Sequence, residues 1–447
     1  MAEMYQTPFF YKLLRVYSNT IYSRWFSSTE VNNEKVIPEN ASVIFAPNHQ
    51  NAFIDAMALL WSSPAPIVFL AKASIFGNKL VAKALNFFKI MPAYRMRDGY
   101  SNLKKNEESF EQAVKVLAHN EYFCLMPEGG QDEYRRLRPL VKGMFRIAFA
   151  AQKQKPEGET ILIVPTGIDY GHYDHSGFHL VINFGKPIRI ADYYQDYLAN
   201  EAVTQNKVRD ELYNRMKPLI HHIVSEKYYD TIYASSYAYA QEMLESKDWD
   251  DNETNRLEVR QRISTQLDEA VVNNNPLLPE LELAVKEWLG DSNMVELYAR
   301  AYEEPHKVDP KLITSILYLI GASPLALYAA VFNGFPYLLF KAVAYKLAHN
   351  TGFEASLLLG FVYLILPFIY LLYIILYAIF VPDYFADTLS FVVFTVCWLL
   401  SLPFSFNFLV RYKWRFQYVK SRIQTIAGKG KAADKVVEIL RKIVPSI

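Results

Sequence analysis

SVIFAPNHQNAFID, residues 42–55, decides how the chain folds. Residues 42–47 are mostly apolar and end at Pro47, the composition of a short strand buried in a sheet. Asn48, His49, Gln50 and Asn51 follow, then Asp55. A histidine at a strand end can act as a general base near neutral pH. A carboxylate bonded to its other ring nitrogen fixes the tautomer and stabilises the imidazolium. On one continuous helix a six-residue offset separates two side chains by about 120°, so His49 and Asp55 meet only if a tight turn folds one back to the other.

Working outward, PIVFLA (66–71), YFCLMP (122–127), TILIVP (160–165) and FHLVINF (178–184) read as further strands, and 76–89, 104–119 and 143–153 as helices. This alternation predicts an α/β domain, a mixed sheet flanked by helices, with reactive groups at strand ends and in the loops that follow. Residues 195–310 are polar and acidic, with Asp248, Asp250, Asp251 and Glu253 close together, and predict a solvated helical insert. His221 and His222 are expected on different faces of a helix there, in structural roles.

The composition excludes several classes. Of 447 residues, 51% are apolar, which rules out a disordered chain, and a net charge of +1 argues against a globally basic nucleic-acid binder. Only Cys124 and Cys397 occur, so no disulfide scaffold is expected and a reducing compartment fits. Charge is nevertheless segregated. Residues 411–447 hold ten Lys or Arg against two acids, a net +8, which leaves −7 for the rest.

Three charge-free stretches, 312–340, 355–381 and 388–410, precede that basic segment, and each is long enough to cross a bilayer. Basic residues Arg411, Lys413 and Arg415 place the end in the cytoplasm, and 355–381 with 388–410 form a transmembrane hairpin. Segment 312–340 contains Gly321, Pro324, Gly334 and Pro336 and is expected to enter and return on one side as a broken, re-entrant helix, with a single steep crossing as the alternative. At the other end, Phe9, Phe10, Leu13, Leu14, Tyr17, Ile21 and Trp25 recur near helical spacing among Lys12, Arg15 and Arg24, as in a helix lying in a membrane surface; packing on the soluble domain is the alternative. The expected division is 1–30 amphipathic helix, 31–194 catalytic domain, 195–310 insert, 311–410 transmembrane region and 411–447 basic cytoplasmic tail.

NHQNAFID resembles the first sequence block of the glycerolipid acyltransferase superfamily. KIMPAYRMRDG (89–99) resembles the second block, LMPEGG (125–130) the third and IVPTGIDY (163–170) the fourth, in the family's order. The resemblance implies an integral membrane acyltransferase of phospholipid synthesis, its catalytic domain cytoplasmic, in a bacterial inner membrane or the endoplasmic reticulum. The acyl donor would be acyl-CoA or acyl carrier protein, and the acceptor glycerol 3-phosphate. Alternatives are lysophosphatidate or another lysolipid as acceptor, and a non-catalytic lipid-binding protein.

It implies His49 as base and Asp55 as its orienter. Asn48, Arg95, Arg97, Glu128, Gly129, Gly130, Lys142 and Pro165 would bind substrate, the arginines holding phosphate. Two departures from the family pattern stand out: five residues separate His49 from Asp55, and Gln131 replaces an arginine after Gly130. Arg135, Arg136, Arg138 and Lys142 are candidates to replace that arginine, Lys142 first. Cys124 lies mid-strand and reads as buried, so direct transfer without an acyl-enzyme is expected. No cofactor beyond the acyl donor and no metal is expected; His172, His175 and His179, with Asp174, fit no ligand spacing well. Membrane lipids are expected partners, and nucleic acid is not.

Overall fold

The structure, a computed structural model, describes Met4 and residues 6–94, 103–132, 134–173, 175–349, 353–380 and 387–444. Two compact units emerge: Met1–Ser23, Thr29–Asp169 and Leu180–His222 form the first, and Arg24–Ser28, Tyr170–His179 and Ile223–Ile447 the second.

The first unit is built on a mixed sheet of eight strands: β1 (Ser28–Asn32), β2 (Val43–Pro47), β3 (Ile67–Lys72), β4 (Ile90–Ala93), β5 (Tyr122–Cys124), β6 (Leu162–Tyr170), β7 (His179–Phe184) and β8 (Ile188–Arg189). Spatial order is β1-β7-β6-β2-β5-β3-β4, with β8 antiparallel to β6. β6, β2, β5, β3 and β4 run parallel. β2 is buried at every position and β6 at all but its first residue, which is why they read as nearly unbroken apolar runs. Helices α1 (Phe9–Trp25), α2 (Ala52–Ser62), α3 (Lys79–Phe87), α4 (Leu103–Ala118) and α5 (Gly143–Gln152) belong to this unit. The core joins Ile44, Ala46, Val68, Phe123 and Ile163 of the sheet to Val114, Leu117, Phe145 and Phe149 of α4 and α5.

Parallel strands bring their carboxyl ends to one edge. Pro47, Ala93 and Cys124 end β2, β4 and β5 there, so the loops carrying the first three sequence blocks leave from a common edge. The fourth block lies on β6 itself, with Pro165 opposite Ala46. The helix expected over 76–89 starts at Lys79, where Asn78 caps it by accepting from the Leu80 and Val81 N–H groups. One face of α1 is tied to α2: the Tyr22 hydroxyl donates to the Ile54 carbonyl at 3.2 Å, and Arg15 to those of Leu60 and Ser63. Phe9, Phe10, Leu13 and Leu14 on the same helix are exposed. Packing on the sheet unit therefore accounts for one face of this helix, and the other face is apolar and exposed.

The second unit is helical. Its core surrounds Trp288, with Ile232, Tyr239, Ile263, Leu267 and Leu281, and includes Ala433, Val436 and Leu440 of the helix Gly430–Ile443. Two expectations need correction here. Residues 195–310 are not merely a solvated insert: the helix Glu201–Met216 puts Val208 and Leu212 into the first unit's core, and residues from Ile223 onward form a core of their own. Nor is 411–447 a free tail, because its last helix closes that second core. Average polarity hid both facts, since much of the charge is internal. Arg256 and Arg260 are buried, as are Glu253 and Glu296. His221 and His222 are also not on a helix; both are buried in an extended segment, where His222 Nδ1 accepts from the Leu137 N–H at 3.0 Å.

Two helices, Ser323–Ala348 and Thr388–Ile443, are long and apolar enough to cross a membrane, and a third if Glu354–Leu364 and Leu366–Phe380 count as one span bent by 41°. Pro367 lies at that bend, where its ring removes a hydrogen bond and crowds the preceding turn. Contacts with the long helix Thr388–Gln424 trace segment 312–340. The Leu319 carbonyl accepts from Tyr412, Tyr328 meets Ser401 at 2.6 Å, Asn333 meets Ser405 at 2.7 Å, and Tyr337 packs by Phe406 and Lys413. The chain thus starts level with Tyr412, moves about 16 Å along that helix to Ser401 at 1.5 Å per residue, and comes back.

Candidate active site

α2 begins abruptly after β2. Ala52 takes a φ of +42°, a left-handed conformation that costs an L-residue about 1 kcal/mol. That reversal absorbs the fifth residue between His49 and Asp55 and turns the first turn of α2 back toward the strand end. Asp55 Oδ2 then accepts from three donors: His49 Nδ1 at 2.9 Å, the Gln50 N–H at 2.9 Å and the Asn51 N–H at 2.8 Å. Asp55 is 1% exposed and the His49 side chain 18% exposed. With Nδ1 engaged, the ring proton sits on Nδ1 and Nε2 keeps its lone pair for a substrate.

Glu128 fixes the other side of His49. Its Oε1 accepts the His49 backbone N–H at 2.8 Å, and its Oε2 accepts the Arg138 N–H and Nε, both at 3.1 Å. Burial pushes this carboxyl above its ordinary range, offset in part by hydrogen bonds from His49 and Arg138. Its side chain is 1% exposed and both oxygens are engaged, so Glu128 holds the third block to the first and is not placed to grip a substrate. Asn48 differs from its expectation in the same way. Its side-chain N–H donates to the Ile168 carbonyl at 2.9 Å and its Oδ1 accepts the Ile168 N–H at 2.7 Å. Both ends of that amide extend the β2–β6 ladder past Pro47 and Thr166.

The candidate cations separate clearly. Arg135 is buried against Asp169 at 2.7 Å, Arg138 binds Glu128 and the Gly130 carbonyl, and Arg136 lies over the Tyr134 ring. Lys142, ahead of α5, is exposed and has no ion-pair partner among the described residues. It follows Val141, whose N–H donates to the Pro127 carbonyl and whose side chain packs over Gly129. Gly129 has a φ of +67° and needs to be glycine. Lys142 is therefore next in the chain to the residue packed on the Gly129–Gly130 turn. Arg95 and Arg97 lie outside the described residues. Pro165 is buried in β6 and its carbonyl accepts from Gly185, a structural position that shapes the sheet. Cys124 is 1% exposed, and burial raises its thiol well above the ordinary value, so it is no nucleophile.

Sequence reasoning missed three contributors. Asp169 gives the buried Arg135 its partner, and only the pairing across 34 residues reveals it. Gly167 lets the backbone of Leu219 approach so closely that a Cβ would sit 2.2 Å from its carbonyl oxygen. Ala52 carries no sequence signal for its left-handed turn.

His172 and His175 stay together, their Nδ1 atoms 3.3 Å apart, while His179 joins Glu253 and Glu296 in the helical unit. The ligand-type atoms of that trio lie within 4.8 Å of one another. Arg300 pairs with both glutamates, and Arg260 Nη2 is 3.4 Å from His179 Nε2. Two guanidinium groups stand against the two carboxylates, so charge is balanced within the cluster.

The sequence model of the Acyltransferase family matches residues 28–169, which contain His49, Asp55, Glu128 and Lys142. A curated relative, glycerol-3-phosphate O-acyltransferase 1 of Saccharomyces cerevisiae, is 32% identical over 81 residues, 18% of this chain and 10% of that protein. The match thus spans a tenth of the relative's length. Among solved structures, the 1-acyl-sn-glycerophosphate acyltransferase PlsC of Thermotoga maritima aligns with 46% of this chain and 80% of its own, at 17% identity and a TM-score of 0.31. Residues 28–169 are therefore the part of the chain that matches the Acyltransferase family.

Proposed function

We propose that the protein is a membrane-embedded O-acyltransferase that moves a fatty acyl group from a thioester, acyl-CoA or acyl carrier protein, to glycerol 3-phosphate. The observation that carries this reading is the buried Asp55 carboxylate holding His49 Nδ1 at 2.9 Å, with the ring partly open to solvent. His49 Nε2 takes the proton of the acceptor hydroxyl as its oxygen attacks the thioester carbonyl carbon. The C–S bond then breaks, and the thiolate takes the proton back from the imidazolium, giving an ester and a free thiol. Asp55 stabilises the cation formed in between. Lys142 holds the acceptor phosphate together with Arg95 and Arg97 of the second block.

Glycerol 3-phosphate is favoured as acceptor because the yeast relative is named for it. Lysophosphatidate is the second reading. The helices of membrane-spanning length fit an apolar acyl chain and product, and the polar contacts of Asn333, Tyr370, Ser401 and Ser405 give a re-entrant segment 312–340 internal partners. Purified full-length protein, assayed with each donor against glycerol 3-phosphate and lysophosphatidate side by side, tests the reading. Faster turnover of lysophosphatidate would replace the acceptor, and no transfer with any pair would remove the activity.

A further inference from the structure

Two apolar stretches end in lysines that the fold brings together. Lys341 follows 312–340 and Lys413 follows 388–410 closely. Lys413 Nζ stands 6.0 Å from the centre of the Tyr337 ring, and Lys341 is one turn past Tyr337 on the helix Phe335–Ala348. The loop within Tyr170–His179 packs onto the same place. The Tyr337 side chain bonds Ser176, and the Trp414 side chain fills the space over Gly177, 3.2 Å from where a Cβ would be. This fixes His175 beside both lysines. Burial first, then the charges of Lys413 and Lys341, push its pKa down to about 4.

Among the described residues neither lysine is paired with a carboxylate. Glu354 is within electrostatic reach of Tyr337, and Asp174 lies outside the described residues. Two ammonium groups gathered at the edge of an apolar layer repel each other unless an anion sits between them. Tyr337 and Trp414 are the amphipathic aromatics of a bilayer interface, and basic pockets at the ends of spanning helices suit lipid phosphates.

We propose that Lys341, Lys413 and His175 form an anion site for a phosphate group carried at the membrane surface, one that an anionic phospholipid headgroup fills. The two lysines act as point charges on the phosphate oxygens. His175, neutral at pH 7, offers a ring nitrogen beside them while its Nδ1 stays 3.3 Å from His172 Nδ1. This rests on the membrane reading of the apolar helices and is independent of acyl transfer.

The test uses full-length protein stripped of lipid in detergent, with retained lipid counted by native mass spectrometry. Wild type should retain phosphatidylglycerol at least about fivefold over phosphatidylcholine, and Lys341→Gln with Lys413→Gln should erase that preference. The double Lys→Arg variant should keep it, with an unchanged thermal midpoint. A third arm adds millimolar inorganic phosphate. If phosphate displaces the lipid, the site accepts any such group; if it does not, the headgroup is specific. Equal phosphatidylglycerol retention by wild type and the folded double Gln variant overturns the site. Extraction of the cell membranes with carbonate separates this failure from failure of the membrane reading, since a protein that does not span a membrane would be released.

Discussion

His49 in the sheet unit and His179 in the helical unit make the same contact, a ring Nδ1 close to a buried carboxylate oxygen: 2.9 Å to Asp55 and 3.0 Å to Glu296. Their other ring nitrogens meet opposite conditions. His49 is 18% exposed and its Nε2 faces no described donor, whereas His179 is 0% exposed with Arg260 Nη2 3.4 Å from Nε2. Burial alone would raise the Glu296 carboxyl, but His179, Arg300 and Arg260 hold it well below the ordinary range. An imidazole against a carboxylate is therefore not a catalytic signature by itself. What the second nitrogen can reach separates a base from a piece of internal wiring.

The sharpest way to break this contrast is to remove each ring. His49→Ala should lower kcat by about 10³-fold, the scale of a lost general base, with a circular dichroism melt close to wild type. Retained turnover in that folded variant would end the comparison. Asp55→Asn comes next, with a loss of about 10²-fold and a lower melting temperature, because the same oxygen also accepts two backbone N–H groups. His179→Ala should do the reverse. It leaves Glu296 Oε2 without its closest ring nitrogen, so urea unfolding should show a loss of about 3 kcal/mol while kcat per folded molecule stays at wild-type level.

The smallest effect concerns acid stability. Burial, then Lys217 and Arg136, hold His222 down to about 4, below the ordinary 6.5. The unfolded chain therefore binds more protons between those values, and stability present above pH 6.5 is lost as pH falls toward 4. Chemical denaturation across that window should show a decline on the order of 2 kcal/mol, and His222→Gln, which keeps an acceptor for the Leu137 N–H, should flatten it. An unchanged slope would show that His222 titrates normally.

The sheet was legible in the sequence because buried strands write themselves as apolar runs; β2, β3, β5, β6 and β7 were found that way. β1 escaped because STEVN is polar and half-buried throughout, β4 because Pro92 interrupts a short run, and β8 because it is two residues long. The site residues were legible as a set, since strand ends, glycines and charges cluster in short blocks. Their individual duties were not. Asn48 and Glu128 read as ligands for a substrate, yet their partners, Ile168 and Arg138, lie 120 and 10 residues away, and only the fold shows both side chains used up. The helical unit was the least legible, because its charges are inside and its last wall comes from the far end of the chain.

Ala52 at φ +42° has a consequence for anyone redesigning the loop. Glycine there would relieve the backbone and look like an improvement to a stability screen. It would also loosen the turn that sets the carboxylate behind the imidazole, so a sturdier protein and a slower enzyme are expected in the same clone.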